Sequence, residues 1–175
     1  PGKVSFASQG AGSQNRLAME VFAEMAGLKM IHVPYKGGSG PAATDIMGGH
    51  VSMVLTNLNE VAGQIESGKL RPLAVTTLER LDALKQVPTV SESGFKDYEV
   101  IGWFGLLAPA NTPAAVVDLL SSEIARSMTL PLMRERAMQD GATPIGNKPQ
   151  EFERFLRSEI AKWTPIIREA GIKVD

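Results

Sequence analysis

Short apolar runs alternate with helix-periodic segments through the first half of the chain. Residues Val4 to Ser8, Met30 to Pro34 and Val51 to Leu55 are apolar runs of strand length, which is typical of strands buried in a sheet. Between them, apolar positions at helical spacing predict helices over Gln14 to Ala26 and Pro41 to Met47. The order strand, helix, strand, helix, strand indicates a parallel α/β layer, because parallel strands need a crossover connection.

The same alternation continues to about residue 77. A helix is predicted over Asn57 to Glu66, ending at Gly68, and a fourth strand is predicted over Leu70 to Thr76. Pro41 is expected as the first residue of its helix, a position that tolerates the missing N–H. We therefore assign residues 1–77 to one α/β domain.

Beyond residue 77 the alternation is lost. Residues 78–108 contain a charged connection, a turn-rich loop and a long extended run, and we interpret them as crossover segments. Residues 109–175 are predominantly helix-periodic. Thr112-Pro113 is expected to cap a first helix, and two more helices follow, the last over Pro149 to Ala170 with a kink at Pro165.

Composition and charge argue against several classes of function. The chain has 175 residues, 43% of them hydrophobic, which is enough to bury a core. Its net charge is −1 without a block of like charges, so neither a nucleic-acid partner nor a polybasic membrane surface is expected. The absence of cysteine excludes disulfides and thiolate chemistry. Because the chain begins without Met, directly before a strand, we expect further sequence upstream.

A glycine-rich turn between the first strand and the first helix is the most informative local feature. It reads Ser8-Gln9-Gly10-Ala11-Gly12-Ser13. Glycines let backbone N–H groups point at one spot, Ser13 is a natural N-cap, and the positive end of the helix dipole favours a carboxylate or phosphate there. The alternative is that Gly10 and Gly12 only permit a tight turn.

Polar groups at two other strand ends favour the binding interpretation. A second glycine-rich turn follows the second strand and reads Tyr35-Lys36-Gly37-Gly38-Ser39-Gly40-Pro41. Thr56 and Asn57 follow the third strand. Because ligands of parallel α/β sheets bind at the carboxyl ends of the strands, the three strand ends together predict a ligand site.

Isolated cations and histidines add less information. Arg16 occupies the third helical position, where a cation opposes the helix dipole. It either offsets an anion bound at the turn or extends outward into solvent. Lys36 has the same two interpretations. His32 and His50 have no ligand-spaced partners in the sequence, so we expect no metal site.

Two glycine motifs admit a nucleotide-binding interpretation. The first, Gly38-Ser39-Gly40-Pro41-Ala42-Ala43, follows a strand, opens a helix and has Glu60 downstream, as in a dinucleotide-dependent oxidoreductase. Against this, Glu60 is expected inside a helix instead of at a strand tip. The second, Gly63 to Lys69, approaches a P-loop, but Leu70 stands where Ser or Thr must hold Mg²⁺.

Several ordered motifs together resemble one known family. They are Ser8-x-Gly10-x-Gly12-Ser13, His32-Val33-Pro34-Tyr35-Lys36-Gly37, Gly48-Gly49-x-Val51, Gly68-Lys69-Leu70-Arg71-x-Leu73-Ala74-Val75-Thr76, Val87-Pro88-Thr89-Val90-x-Glu92-x-Gly94 and Trp103-x-Gly105-Leu106-x-Ala108-Pro109-x-x-Thr112-Pro113. In this order, and essentially end to end, the chain resembles the extracytoplasmic substrate-binding receptors of tripartite tricarboxylate transporters, the Bug proteins.

The resemblance implies a type II periplasmic-binding-protein fold, in which two α/β domains close on a small carboxylate. Residues 1–77 would be the ligand-binding domain two, and residues 109–175 the C-terminal helical part of domain one. It also implies a non-enzymatic receptor without a cofactor, located in the periplasm, that delivers its solute to the membrane subunits of a transporter.

Two departures from the family pattern stand out. Family receptors carry a substantial portion ahead of the segment that matches Pro1, so the resemblance implies that this chain is N-terminally truncated. In addition, Arg16 stands where the family pattern has His, and Met19 stands where Gly is common. Both substitutions lie near the glycine-rich turn, so they bear on which solute is bound.

The sequence therefore predicts a receptor for a small organic carboxylate, with no catalytic residues. The expected ligand-binding residues are Ser8, Gly10, Ala11, Gly12, Ser13, Arg16, Tyr35, Lys36, Gly37, Thr56 and Asn57. One alternative is a nucleotide-dependent oxidoreductase that uses Gly38 to Ala43. The other is a truncated chain that binds no solute and forms a homodimer, or exchanges a segment, through exposed apolar surface.

Overall fold

A computed structural model describes residues 2–10, 12–169 and 171–172. Its sheet has three parallel strands, β1 (Ser5–Ser8), β2 (Ile31–Pro34) and β3 (Met53–Val54), in the order β2-β1-β3. Strand β1 is therefore central, and it pairs with β2 over its whole length and with β3 at Phe6 and Ala7. Phe6, Ala7 and Ser8 are almost completely buried, as expected of a central parallel strand.

Helices connect the strands, as the sequence pattern predicts. They are α1 (Gln14–Met25), which leads from β1 to β2, α2 (Ser39–Met47), which leads from β2 to β3, and α3 (Leu58–Glu66), which follows β3. The predicted N-cap is confirmed, since the Ser13 hydroxyl accepts a hydrogen bond from the backbone N–H of Arg16. Helix α2 begins two residues earlier than predicted, so Pro41 is its third residue and the expectation of Pro41 at the first position was wrong.

The predicted fourth strand over Leu70 to Thr76 was also wrong. In place of a strand, the segment forms one isolated parallel bridge between Val75 and Thr89. The backbone N–H of Val75 donates to the Pro88 carbonyl at 2.9 Å, and the N–H of Val90 donates to the Val75 carbonyl at 2.9 Å. Pro72 offers no N–H, so the run cannot form a continuous ladder with a neighbour.

Among the described residues, two buried clusters hold the first part of the chain together. The first joins Ala7 of β1 to Ala42 of α2 and to Val51. The second joins Val75, Leu84 and Val87, with partly buried residues of α3 and Leu81 packed against it. Tyr98 is also buried, and its hydroxyl donates to the Ala18 carbonyl of α1 at 2.8 Å. Burial raises the pKa of Tyr98, so this phenol remains a neutral donor.

The second half of the chain is helical after a long extended segment. A 3₁₀ turn (Asp82–Leu84) precedes that segment, and the helices that follow it are α4 (Ala114–Met128), α5 (Pro131–Gln139) and α6 (Pro149–Glu169). Pro113 precedes α4, whose start has no side-chain cap hydrogen bond. The predicted last residue of the final helix, Ala170, lies outside the described residues.

The chain forms two compact units. Unit one comprises residues 1–102 and 166–175, and unit two comprises residues 103–165. Among the described residues of unit two, only Trp163 is buried. The assignment of residues 1–77, 78–108 and 109–175 to separate segments of a receptor remains a prediction. Within the described ranges, no helix combines the length and apolar character needed to cross a membrane.

Candidate functional site

The carboxyl ends of all three strands lie at one edge of the sheet, because the strands are parallel. The polypeptide leaves this edge through the glycine-rich turn after β1, the turn after β2, and the Leu55–Asn57 segment after β3. This arrangement brings together most of the residues that the sequence singles out. It is the usual position of ligand sites in parallel α/β sheets.

The turn after β1 is ordered by its own hydrogen bonds. Gly10 has a φ of 128°, which residues with a side chain rarely adopt. The Gly10 carbonyl accepts from the Ser13 backbone N–H at 3.2 Å and from the Ser13 hydroxyl at 2.9 Å. Gly12 is exposed, and Gly10 and Ser13 are partly buried. Ala11, also predicted to bind ligand, lies outside the described residues.

The first turn of α1 provides backbone donors beside this turn. In the described part of the chain, no hydrogen-bond partner is assigned to the backbone N–H groups of Gln14 and Asn15, which are the first two residues of the helix. The N-terminal N–H groups of a helix lack intrahelical partners and carry the positive end of the dipole. The turn therefore has the backbone donors that a carboxylate needs.

The buried Ser8 hydroxyl contacts this turn and the neighbouring strand β2. Ser8 is 1% exposed, and its hydroxyl lies 2.7 Å from Nε2 of His32. The same hydroxyl lies 3.2 Å from the Gly10 backbone N and 3.0 Å from the Gly10 carbonyl. Burial lowers the pKa of His32, and the nearby Arg16 charge lowers it further, so the ring is neutral at pH 7. Ser8 thus holds the turn in place through contacts within the protein.

Arg16 has an acidic partner on its own helix. Its Nε lies 3.4 Å from Oε1 of Glu20, one turn further along α1, and both side chains are partly buried. The sequence alone left open whether Arg16 offsets an anion or extends into solvent. The ion pair with Glu20 balances part of the Arg16 charge and keeps the side chain along the helix.

The turn after β2 contributes an aromatic side chain and an exposed cation. The Tyr35 hydroxyl donates to Oδ2 of Asp45 in α2 at 2.6 Å. This hydrogen bond, together with a small burial effect, raises the pKa of Tyr35. Lys36 and Gly37 are exposed. Gly38 precedes α2 with a φ of 83°, so a glycine is needed at this position.

The end of β3 is tied to α1 by an amide side chain. Asn15 is 8% exposed, and its Nδ2 donates to the Leu55 carbonyl at 2.8 Å. Asn57 precedes α3, and its Oδ1 lies 3.2 Å from the point where a Cβ on Gly102 would stand. The Gln14 side chain donates to the Ile101 carbonyl at 2.8 Å. The end of β3 therefore lies close to α1 and to the segment that ends at Gly102.

A carboxylate of the protein itself lies among the polar groups of the three strand ends. The Glu60 side chain accepts hydrogen bonds from Nε2 of Gln9 at 2.9 Å, from the Ser39 hydroxyl at 2.5 Å and from the Thr56 hydroxyl. Nε2 of Gln9 also donates to the Ser39 hydroxyl at 2.6 Å. Gln9, Ser39 and Thr56 follow β1, β2 and β3 respectively, so the network joins all three strand ends. We call these four residues the Glu60 network.

The Glu60 carboxylate is ionised in this environment. Burial raises its pKa, but hydrogen bonds from Ser39, Thr56, Gln9 and the Asn57 backbone outweigh this effect and hold the pKa below its ordinary value. In the described part of the chain, no ion pair is assigned to Glu60. Its charge is therefore stabilised by neutral donors and by the N-terminal end of α3, where it lies in the first turn.

The sequence prediction did not include Gln9, Ser39 or Glu60 among the site residues. Glu60 follows Asn57 at the spacing of a capping box, in which the side chain three residues into the helix reaches back to the N-cap backbone. That spacing was a usable signal that the Glu60 side chain turns back toward the end of β3. The partners Gln9 and Ser39 depend on the way the strands meet, which no local pattern reveals.

The Glu60 network also bears on the nucleotide-binding interpretation. A dinucleotide site needs an acidic residue at a strand tip to bind the ribose. Glu60 instead lies in the first turn of α3 and is bound by Gln9, Ser39 and Thr56.

The described residues contain no group of three or more His, Asp or Glu side chains placed to hold a metal ion.

Comparison with known proteins identifies a consistent set of relatives. Residues 1–172 match the family described as Tripartite tricarboxylate transporter family receptor. Protein BugT of Bordetella pertussis is 35% identical over 174 residues, which cover 99% of this chain and 53% of BugT. The chain spans about half the length of most of the curated relatives that it matches.

Solved structures also match the fold of this chain. The structure described as R. palustris Rpa4515 with adipate has a TM-score of 0.90 and 35% identity, and the match covers 98% of this chain and 57% of that one. The periplasmic binding protein BugD has a TM-score of 0.82 and 31% identity, with 98% and 58% covered. The predicted fold class, a type II periplasmic-binding-protein-like α/β fold with one parallel-sheet domain and part of a second, is confirmed.

Proposed function

Because the chain belongs to the family of tripartite tricarboxylate transporter receptors, we propose that it binds a small organic carboxylate at the carboxyl edge of the β2-β1-β3 sheet. This is a family of receptors and not of enzymes. The observation that carries the proposal is the turn after β1. It places Gly10, Gly12 and Ser13 at an accessible helix N-terminus, beside the backbone N–H groups of Gln14 and Asn15, which have no assigned partner among the described residues.

In this proposal the ligand carboxylate is bound mainly by backbone amides. The backbone N–H groups of Gly12, Gln14 and Asn15 donate to its oxygens, and Ser13 caps α1. Ser8 contributes by fixing the turn through its bonds to Gly10 and His32. Backbone donors on a rigid turn need no rearrangement to accept the ligand, which keeps the entropy cost of binding low.

Side chains around the turn would set selectivity. Arg16 adds positive potential near the turn, reduced by its Glu20 partner. Lys36 and Gly37 are exposed at the turn after β2, and Tyr35 is fixed there by Asp45. At the end of β3, Thr56 and Asn57 complete the set. The bound adipate named for the R. palustris relative is an organic carboxylate, which supports this ligand class.

Calorimetry with a panel of mono- and dicarboxylates tests this function. We expect at least one carboxylate to bind the wild-type chain and Ser13→Ala to weaken its binding. Ser67→Ala is the matched control, because Ser67 is the C-cap of α3, away from the strand ends, and its hydroxyl donates to the Gln64 carbonyl of the same helix. Loss of the N-cap costs about 1 kcal/mol of stability, so folding is checked in parallel. Unchanged affinity in Ser13→Ala would remove the turn from the site.

We further propose that the receptor works in the periplasm and delivers its solute to transporter membrane subunits. Membership of the receptor family supports this role, as does the description of BugD as a periplasmic binding protein. Co-purification of the receptor with the membrane subunits, in the presence and absence of carboxylate, tests the partnership. Equal recovery with an unrelated periplasmic protein would argue against it.

A second proposal concerns self-association through unit two. Phe104, Leu106 and Leu107 are 94%, 76% and 78% exposed and lie in an extended segment outside the named strands. Exposed apolar residues on an unpaired extended segment favour pairing with another chain. We expect the 175-residue chain to form a homodimer, or to exchange this segment, in solution. Light scattering tests this, and a monomer at high concentration would refute it.

A further inference from the structure

The Glu60 network determines which hydrogen bonds the three strand ends can offer to a ligand. A serine or threonine hydroxyl has a single proton. The hydroxyl protons of Ser39 and Thr56 are donated to Glu60, and Nε2 of Gln9 directs its protons to Glu60 and Ser39. These side chains therefore keep only acceptor lone pairs for a ligand while Glu60 is ionised.

The two sides of the sheet edge consequently have opposite preferences. The turn after β1 and the first turn of α1 offer N–H donors and the positive end of a helix dipole, which suit a carboxylate. The Glu60 network offers a negative charge and hydroxyl acceptors. Gln9 belongs to the network and is followed directly by Gly10 of the turn, so the two sides are adjacent in the chain.

We propose that Glu60 is a specificity-determining residue, which makes the site prefer carboxylates that carry a neighbouring hydroxyl or ammonium group over unsubstituted dicarboxylates. A hydroxyl or ammonium group donates to the acceptors of the Glu60 network. A second carboxylate at the same place meets a like charge and finds no free donor among the side chains of the network, so its binding there is disfavoured. This inference rests on the proposed carboxylate-binding function.

The test compares ligands with the same carbon skeleton in calorimetry on the 175-residue chain. The ligands are butanoate, 2-hydroxybutanoate, 2-aminobutanoate and butanedioate. For wild type we expect the hydroxy or amino acid to bind most tightly. In Glu60→Gln the affinity ratio of that ligand to butanedioate should fall about tenfold, because the like charge is removed and the amide can donate.

Two further variants keep the test decisive. Glu66→Gln removes the same charge from the exposed last turn of α3, so its ratio should equal that of wild type. Glu60→Asp retains the charge, so it should retain the order of preference, and it replaces Glu60→Gln if that variant fails to fold. If wild type binds no carboxylate, the proposed function and this inference both fail. If wild type binds one but the Glu60→Gln ratio stays within twofold of wild type, only the inference fails.

Discussion

Ser8→Ala should destabilise the protein by about 2 kcal/mol, because the Ser8 hydroxyl joins β1 to its turn and to β2. The side chain is 1% exposed and lies at hydrogen-bond distance from Nε2 of His32 and from the backbone N of Gly10. An unsatisfied buried polar group costs about 1–3 kcal/mol. Both partners are only partly buried, so we take the lower end for each. Urea unfolding at pH 7 measures the change in the free energy of unfolding.

The matched control for this prediction is Ser52→Ala. Ser52 also bridges two strand regions, since its hydroxyl lies 3.3 Å from that of Ser5, but the pair is exposed. We expect a loss below about 0.5 kcal/mol, as for most surface substitutions. A double-mutant cycle of Ser8→Ala with His32→Phe should give a coupling of about 1 kcal/mol. A Ser8→Ala loss as small as that of Ser52→Ala would refute the supporting role assigned to Ser8.

Three other predictions concern Tyr98, Glu60 and Gly105. Tyr98→Phe removes the buried bond to the Ala18 carbonyl and should lower the free energy of unfolding by about 1 kcal/mol, measured by urea unfolding. The pKa of Glu60 is lower in the folded than in the unfolded state. The ionised carboxylate therefore stabilises the fold at pH values above its unfolded pKa of about 4.3, and this stabilisation is lost as the pH falls through its folded pKa. The difference in urea midpoint between wild type and Glu60→Gln should therefore shrink from pH 7 to pH 3, and a constant difference would contradict the assignment. Gly105→Ala would place a Cβ 2.3 Å from Cζ of Phe152, so the ring must rotate and the near-ultraviolet circular dichroism should change, whereas an unchanged spectrum would contradict this contact.

Local patterns were sufficient to predict the three strands and three helices of the first part of the chain. Short apolar runs and helical periodicity depend on neighbours in sequence, and so does the Ser13 N-cap. The prediction failed over Leu70 to Thr76, where an apolar run met the propensity for a strand but had only Thr89 as a bridge partner. Strand formation needs a neighbouring strand as well as a suitable sequence.

The candidate site was only partly predictable for the same reason. Glycines and the N-cap marked the turn after β1, because a strand-to-helix turn has a local signature. The Glu60 network could not be predicted from local sequence patterns, because Gln9, Ser39 and Thr56 are brought together by the β2-β1-β3 strand order. The ion pair of Arg16 with Glu20, by contrast, has the local i,i+4 spacing, and the sequence analysis did not take that spacing into account.

Unit one is discontinuous in sequence, since it combines residues 1–102 with residues 166–175. The second piece is not a dispensable tail, because Ile172 is 8% exposed and the end of α6 belongs to it. Ending the chain after residue 102 would therefore yield an incomplete unit. A minimal version of the sheet domain has to rejoin the two pieces with a designed linker in place of residues 103–165.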